Sequence, residues 1–170
     1  MRKHPDLARR VAADGHVIGN HTAMHPNLRK KNDEQVRKEL TACQKIIEDT
    51  LGVSPVLFRP PYGARRPGVL RIARSLGLTP VMWNVTAHDW GTIGAAAIQV
   101  RIDKGLQTNA KRGSASNILL HDASHLDGAE PASRADTIVV TRALLERKGL
   151  NFVTPLEWLE NSIRADPPHS

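Results

Sequence analysis

The sequence predicts an α/β fold built on a mainly parallel sheet, and three observations carry that prediction. Short apolar runs alternate with helix-length amphipathic segments along the whole of the 170 residues. Most of the helical segments open on a cap or a proline and close near a glycine. His21, Arg59, Asp89 and His121 each lie just beyond the C-terminal end of a different predicted strand. In parallel α/β proteins the C-terminal strand ends gather on one face, where ligands and catalytic groups sit.

The elements follow in order. Residues 5–13 read as an amphipathic helix with Leu7, Ala8, Val11 and Ala12 on one side, Pro5 in its first turn and Gly15 past its end. His16 to Asn20 reads as a short strand. A second helix carries Val36, Leu40, Cys43, Ile46 and Ile47 at helical spacing, with Asp33 and Glu34 in its first turn and Gly52 just beyond it. Pro55 to Phe58 is the next apolar run. Arg59-Pro60-Pro61-Tyr62-Gly63 must be a rigid loop, because adjacent prolines fit neither a central strand nor a helix interior.

A helix from about Pro67 to Leu76 stops at Gly77, and Pro80 to Val85 is a strand. Thr86 to Gly91 is a loop holding His88, Asp89 and Trp90, and Ile98, Ile102 and Leu106 mark a further helix. Asn117 to Leu120 reads as a strand running into His121-Asp122. The last long helix covers about Arg134 to Lys148 and ends at Gly149. Leu150 to Val153 reads as a final strand, and Thr154-Pro155-Leu156-Glu157 as a capping box with proline at the first helical position. Residues 166–170 read as a disordered tail, and residues 1–165 as one domain with no linker.

Composition narrows the function classes. At 40% hydrophobic and 24% charged residues the chain is an ordinary globular sequence. A single cysteine, Cys43, excludes an internal disulfide, and its place on an apolar stripe predicts burial. No apolar run approaches a membrane span, and no signal peptide is visible in this chain. The formal charge of +7 is concentrated in residues 1–75, which hold 15 Lys and Arg against 7 Asp and Glu. Those cations are spread over several elements with almost no aromatics among them. Nucleic acid is therefore disfavoured as a partner, and solvated helix faces account for the charge.

The residues that name a chemistry most directly are His21-Thr22-Ala23-Met24-His25. Two imidazoles four residues apart can share one side of a helical turn and converge on one metal ion. The alternative is a strand end followed by a turn, with two polar side chains in solvent.

Taken together the motifs resemble the polysaccharide deacetylase family, also called the NodB-homology domain or carbohydrate esterase family 4. His21-Thr22-Ala23-Met24-His25-Pro26 resembles its H-[ST]-x-x-H-P motif, Arg59-Pro60-Pro61-Tyr62-Gly63 its R-P-P-Y-G motif, Asp89-Trp90 the close of its D-x-x-D-W motif, and Leu119-Leu120-His121 its L-x-H motif. The resemblance implies a distorted parallel (β/α) barrel that removes N-acetyl, or sometimes O-acetyl, groups from a polysaccharide. Chitin oligomers and peptidoglycan are the substrates in view, and proteins of the family are commonly exported or held at the cell envelope. A divalent metal, usually zinc, would be held by His21 and His25 and would polarise the attacked carbonyl and the attacking water.

By the same resemblance His121 maps to the general acid that protonates the departing amine, and Asp89 to the carboxylate that orients its ring and stabilises the imidazolium. The Tyr62 backbone N–H maps to an oxyanion donor, while Trp90 and Leu119 form apolar walls around the acetyl methyl. Arg59 maps to the partner of the family's catalytic base.

One motif is missing. The family's T-F-D-D-G supplies the third metal ligand and the general base, and no Asp-Asp pair occurs in these 170 residues. Thr86 also stands where the D-x-x-D-W motif often has its first aspartate. The expectation is thus a partial domain, truncated at its N-terminal barrel strands. It would be a deacetylase by descent whose activity as this chain is doubtful, or alternatively a non-catalytic remnant that binds glycan or a partner.

Overall fold

The computed structural model describes residues 1–91, 93–122 and 134–165. The expected disordered tail at 166–170 lies outside the described residues. The chain divides into two units, one of residues 1–82 with the segment from Val153 onward, the other of residues 83–152.

In the first unit, α1 (Pro5–Ala13) starts on its proline, with Asp6 in the first turn and Arg10 in the last, each matched to the helix dipole. It buries no residue, and Leu7 is exposed. Arg9 ties it to the following helix by donating from Nε to the Thr50 carbonyl at 3.2 Å. That helix, α2 (Asp33–Leu51), opens on a capping box in which the Asn32 and Gln35 side chains each accept the other's backbone N–H. It closes on Gly52 at φ 71°, a left-handed cap that a side chain would strain. Val36, Leu40, Cys43 and Ile47 form its buried stripe, as their spacing predicts.

β1 (Leu57–Phe58) pairs in parallel with β2 (Thr79–Pro80), and α3 (Pro67–Ser75) makes the crossover. Leu28, Val36, Leu40, Phe58, Val69, Ile72, Ala73 and Leu78 pack into the core of this unit. The strand expected at His16 to Asn20 contracts to a single parallel bridge. Asn20 donates to the Leu57 carbonyl at 2.7 Å and accepts from the Arg59 N–H at 2.9 Å.

The second unit repeats the plan. β3 (Val85–Thr86) and β4 (Ile118–Leu119) pair in parallel across α4 (Ala95–Lys111), and α5 (Ala135–Leu145) packs on α4. Its core is Ala87, Ile98, Ile102, Val140 and Leu144. Gly105 sets how closely α4 approaches β3, since a Cβ there would fall 2.6 Å from Val85 Cγ1. The run expected as one strand from Pro80 to Val85 thus becomes two short strands with different partners.

Leu150 to Val153 forms no strand. Leu150 packs against the second core, but Phe152 and Val153 are exposed and pair with no described strand. α6 (Pro155–Ala165) follows, and its capping box forms as read from the sequence. The Thr154 N–H donates to Glu157 Oε2 at 2.6 Å, and the Glu157 N–H to Thr154 Oγ1 at 3.2 Å. Among the described residues no helix is long and apolar enough to cross a membrane.

Candidate active site

The first unit brings His21, His25, Arg59 and Tyr62 together. The imidazoles of His21 and His25 lie edge to face with centroids 4.9 Å apart, and the Tyr62 ring meets His25 in the same way at 4.8 Å. The pair does not share a helical turn. Thr22 and His25 adopt φ of 68° and 55°, outside the right-handed region, so the segment is a bent loop leaving the Asn20 bridge. Convergence comes from that bend. The strand-end-and-turn geometry is the one observed, but the two rings are in contact.

His21 Nδ1 lies 2.5 Å from the Arg59 carbonyl oxygen. A carbonyl can only accept, so Nδ1 carries the proton and the lone pair sits on Nε2, the tautomer suited to a metal ligand. The contact comes from the backbone of Arg59, whose guanidinium is half-buried and pushed below its ordinary pKa by desolvation. Tyr62 stands in a 3₁₀ turn of Pro61–Gly63 at φ 58°, with its side chain exposed. Two imidazoles of this kind suit a divalent cation in donor chemistry. Among the described residues no third His, Cys, Asp or Glu joins them to complete a metal-binding group.

The second unit brings together Asp89, Trp90, His121 and two residues the sequence reading missed. Asp89 follows β3, and its side chain is wholly buried. Oδ1 accepts from His121 Nδ1 at 2.8 Å, and Oδ2 accepts from the His121 backbone N–H at 2.8 Å. Thr137 Oγ1 donates to Oδ2 at 3.2 Å, and the Arg134 guanidinium lies 3.6 Å from the same oxygen. Burial of a carboxylate is costly unless hydrogen bonds and an opposite charge compensate it. Because Asp89 holds Nδ1–H, His121 presents Nε2 for proton transfer, the geometry of a carboxylate-oriented general acid.

Among the described residues Trp90 joins neither apolar core. Its ring meets His121 edge-on at 5.2 Å and His88 at 4.6 Å. Leu119 is half-buried on β4, between Ile118 and Leu120, which both pack against the second core. Strand alternation therefore turns Leu119 to the other face.

Arg134 and Thr137 lie far downstream of Asp89 and carry no local motif. A buried aspartate requires donors, and that requirement is the only signal that could have led to them. Asn20, Glu39 and Thr22 support the histidine loop in a similar way. Asn20 Oδ1 accepts from the Thr22 N–H at 3.0 Å, while Asn20 Nδ2 donates to the Leu40 carbonyl at 2.8 Å.

A polysaccharide deacetylase family model matches residues 1–81. A chitooligosaccharide deacetylase of Azorhizobium caulinodans is 38% identical over 83% of this chain and 67% of its own length. A peptidoglycan-N-acetylglucosamine deacetylase of Bacillus cereus is 35% identical over 89% of this chain and 52% of its own. The chain thus spans about half to two thirds of these relatives.

A solved structure of a peptidoglycan N-acetylglucosamine deacetylase superposes with TM-score 0.71 at 31% identity, over 91% of this chain and 68% of that one. A family 4 acetyl xylan esterase from Clostridium thermocellum, solved with a cobalt ion, gives TM-score 0.75 at 23% identity, over 97% and 73%. The fold class is that of these neighbours, a parallel (β/α) barrel, of which this chain carries a part.

Proposed function

This chain belongs to the polysaccharide deacetylase family, and from that premise we propose that it carries the metal-ligand pair and the general acid of a hydrolase acting on N-acetylated, or O-acetylated, glycans. The observation that carries the reading is the Asp89–His121 pair, a buried carboxylate fixing an imidazole through Nδ1. A free amine is a poor leaving group, so amide hydrolysis needs a proton donor held at the departing nitrogen, and His121 Nε2 is suited to that step. Asp89 prevents the ring from turning.

His21 and His25 would hold a divalent metal, zinc in our reading, which supplies Lewis acidity toward the acetyl carbonyl. The Arg59 carbonyl keeps His21 in the ligating tautomer. The Tyr62 N–H is assigned to the developing oxyanion, and Trp90 and Leu119 to the acetyl methyl. Chitin oligomers or peptidoglycan are the proposed substrates.

We assign the general base and the third metal ligand to an aspartate pair, and these 170 residues contain no Asp-Asp pair. This favours a second reading for the chain alone, in which it binds glycan or a partner without catalysis. Acetate release from N-acetylated chitooligosaccharides separates the two. The 170-residue chain alone should release none. Fusion of a family N-terminal segment bearing the aspartate pair should give zinc-dependent release that His121→Ala abolishes. No release from a folded fusion would sink the catalytic reading.

A further inference from the structure

We propose that Glu39 is the positioning residue of the histidine pair, its carboxylate fixing the backbone between His21 and His25 and thereby the pose of both imidazoles. The inference rests on reading that pair as metal ligands. Four consecutive amides in the loop donate to side-chain oxygens. Thr22 N–H goes to Asn20 Oδ1 and His25 N–H to Thr22 Oγ1, both at 3.0 Å. Between them, Ala23 and Met24 both donate to Glu39 Oε2, at 3.1 and 2.9 Å. None of these bonds belongs to a helix or a sheet ladder. Thr22 and His25 also hold positive φ, a conformation that costs free energy in residues with a Cβ and persists only where the surroundings enforce it.

Of the three side chains that accept these four bonds, Glu39 alone is a carboxylate, and a carboxylate that takes two N–H groups is a stronger restraint than a hydroxyl or an amide. It stands on the interior of α2, a more rigid support than a loop. The same face of α2 meets the loop at two further points. The Leu40 carbonyl accepts from Asn20 Nδ2. Cys43, buried on the stripe of α2, packs beside the backbone of His21 and Thr22. Glu39 Oε2 accepts from both amides, and among the described residues Glu39 does not join the two histidines in a metal-binding group, so Glu39 acts on the imidazoles through the main chain. Pairs of metal ligands need sub-ångström placement, and a loop released from this anchor would sample many ring separations.

The test compares the full chain with Glu39→Ala and Glu39→Gln by NMR, reading amide exchange at Ala23 and Met24 and the imidazole shifts of His21 and His25 during titration with Zn²⁺ alone into the millimolar range. Glu39→Ala should speed exchange at both amides about tenfold and weaken the Zn²⁺ response by a similar factor, with core amides of α2 unchanged. Gln, which retains an oxygen at the same place, should recover most of both. Wild-type exchange at Ala23 and Met24 in Glu39→Ala, or an unaltered Zn²⁺ midpoint, would overturn the proposal. Absence of any imidazole response in the unsubstituted chain counts instead against the metal reading of the pair, and the exchange rates then decide the role of Glu39.

Discussion

Asp89 holds His121 at two points, the ring through Oδ1 and the backbone through Oδ2, each at 2.8 Å. Two bonds from one rigid carboxylate fix the imidazole relative to its own main chain. A single bond would leave the ring free to swing.

Asp89→Asn replaces one of two acceptors by an NH₂ group. That group must face either the His121 ring N–H or its backbone N–H, and the Arg134 guanidinium loses the carboxylate 3.6 Å away. Breaking a buried ionic contact on one side costs about 3 kcal/mol or more. Urea unfolding at neutral pH should show a loss of that size. A loss below about 1 kcal/mol, the scale of a single neutral hydrogen bond, would mean that Asp89 is not the centre of this network.

Thr137 gives a finer test of the same network. Thr137→Val keeps the shape and removes the hydroxyl that donates to Asp89 Oδ2. The expected cost is about 1 kcal/mol, with Thr137→Ser recovering most of it. Denaturant midpoints of the three proteins check the order. Equal stability of Val and wild type would show that the 3.2 Å contact contributes nothing.

Gly105→Ala opposes two effects of known size. In a helix interior Ala is favoured over Gly by about 1 kcal/mol. Here the new Cβ would lie 2.6 Å from Cγ1 and 2.9 Å from Cγ2 of Val85, which is buried and stiff at χ1. Overpacking of that kind costs about 1–3 kcal/mol. The clash should win, giving net destabilisation on thermal unfolding, and Val85→Ala in the same chain should restore the helix-propensity gain.

How much was legible in the sequence depended on the range of the forces involved. α6 was readable from its capping box and α2 from the helical spacing of its apolar residues between Asp33 and Gly52, all of them local signals. The four motifs were readable as strings, and the structure groups their residues within each unit. A turn at His21–His25 was one of two readings, but the contact of the two rings within it was not readable, since positive φ at Thr22 and His25 is enforced by Glu39, 15 residues beyond Met24. Thr137 and Arg134 escaped for the same reason, being brought to Asp89 only by the crossover through α4 and β4. The strands were overcalled in length. In the run Pro80 to Val85 only Val81 and Val85 are buried and only the two ends belong to strands, and periodicity does not distinguish burial from ladder pairing.

The capping box of α6 predicts a pH dependence. Bonds from the Thr154 N–H and hydroxyl hold the exposed Glu157 carboxyl below its ordinary value. A depressed folded value means that the stabilisation is complete above the ordinary glutamate range and is lost as pH falls through the depressed one. Cα chemical shifts of Leu156 to Trp158 should therefore stay helical from neutral pH down to that range and move toward coil below it. In Glu157→Gln the low-pH transition should vanish, and its persistence would assign the fraying to another group.

The histidine pair yields the last prediction. Complete zinc sites with three or four protein ligands reach apparent binding free energies of about 10–16 kcal/mol in folded peptides. This chain offers two imidazoles, and no third ligand of the usual kinds joins them among the described residues. With a third of the donor set missing, the 170-residue chain should bind Zn²⁺ with a dissociation constant weaker than about 1 μM, corresponding to less than about 8 kcal/mol. His21→Ala and His25→Ala should each remove what binding remains. Because a weak ligand stabilises only when its concentration exceeds the dissociation constant, micromolar zinc should leave the melting temperature unchanged. Competition against a chromogenic chelator measures the affinity directly. Tight one-to-one binding that survives at nanomolar free zinc would mean that another residue of this chain completes the set, and the assignment of the third ligand to the absent aspartate would fall.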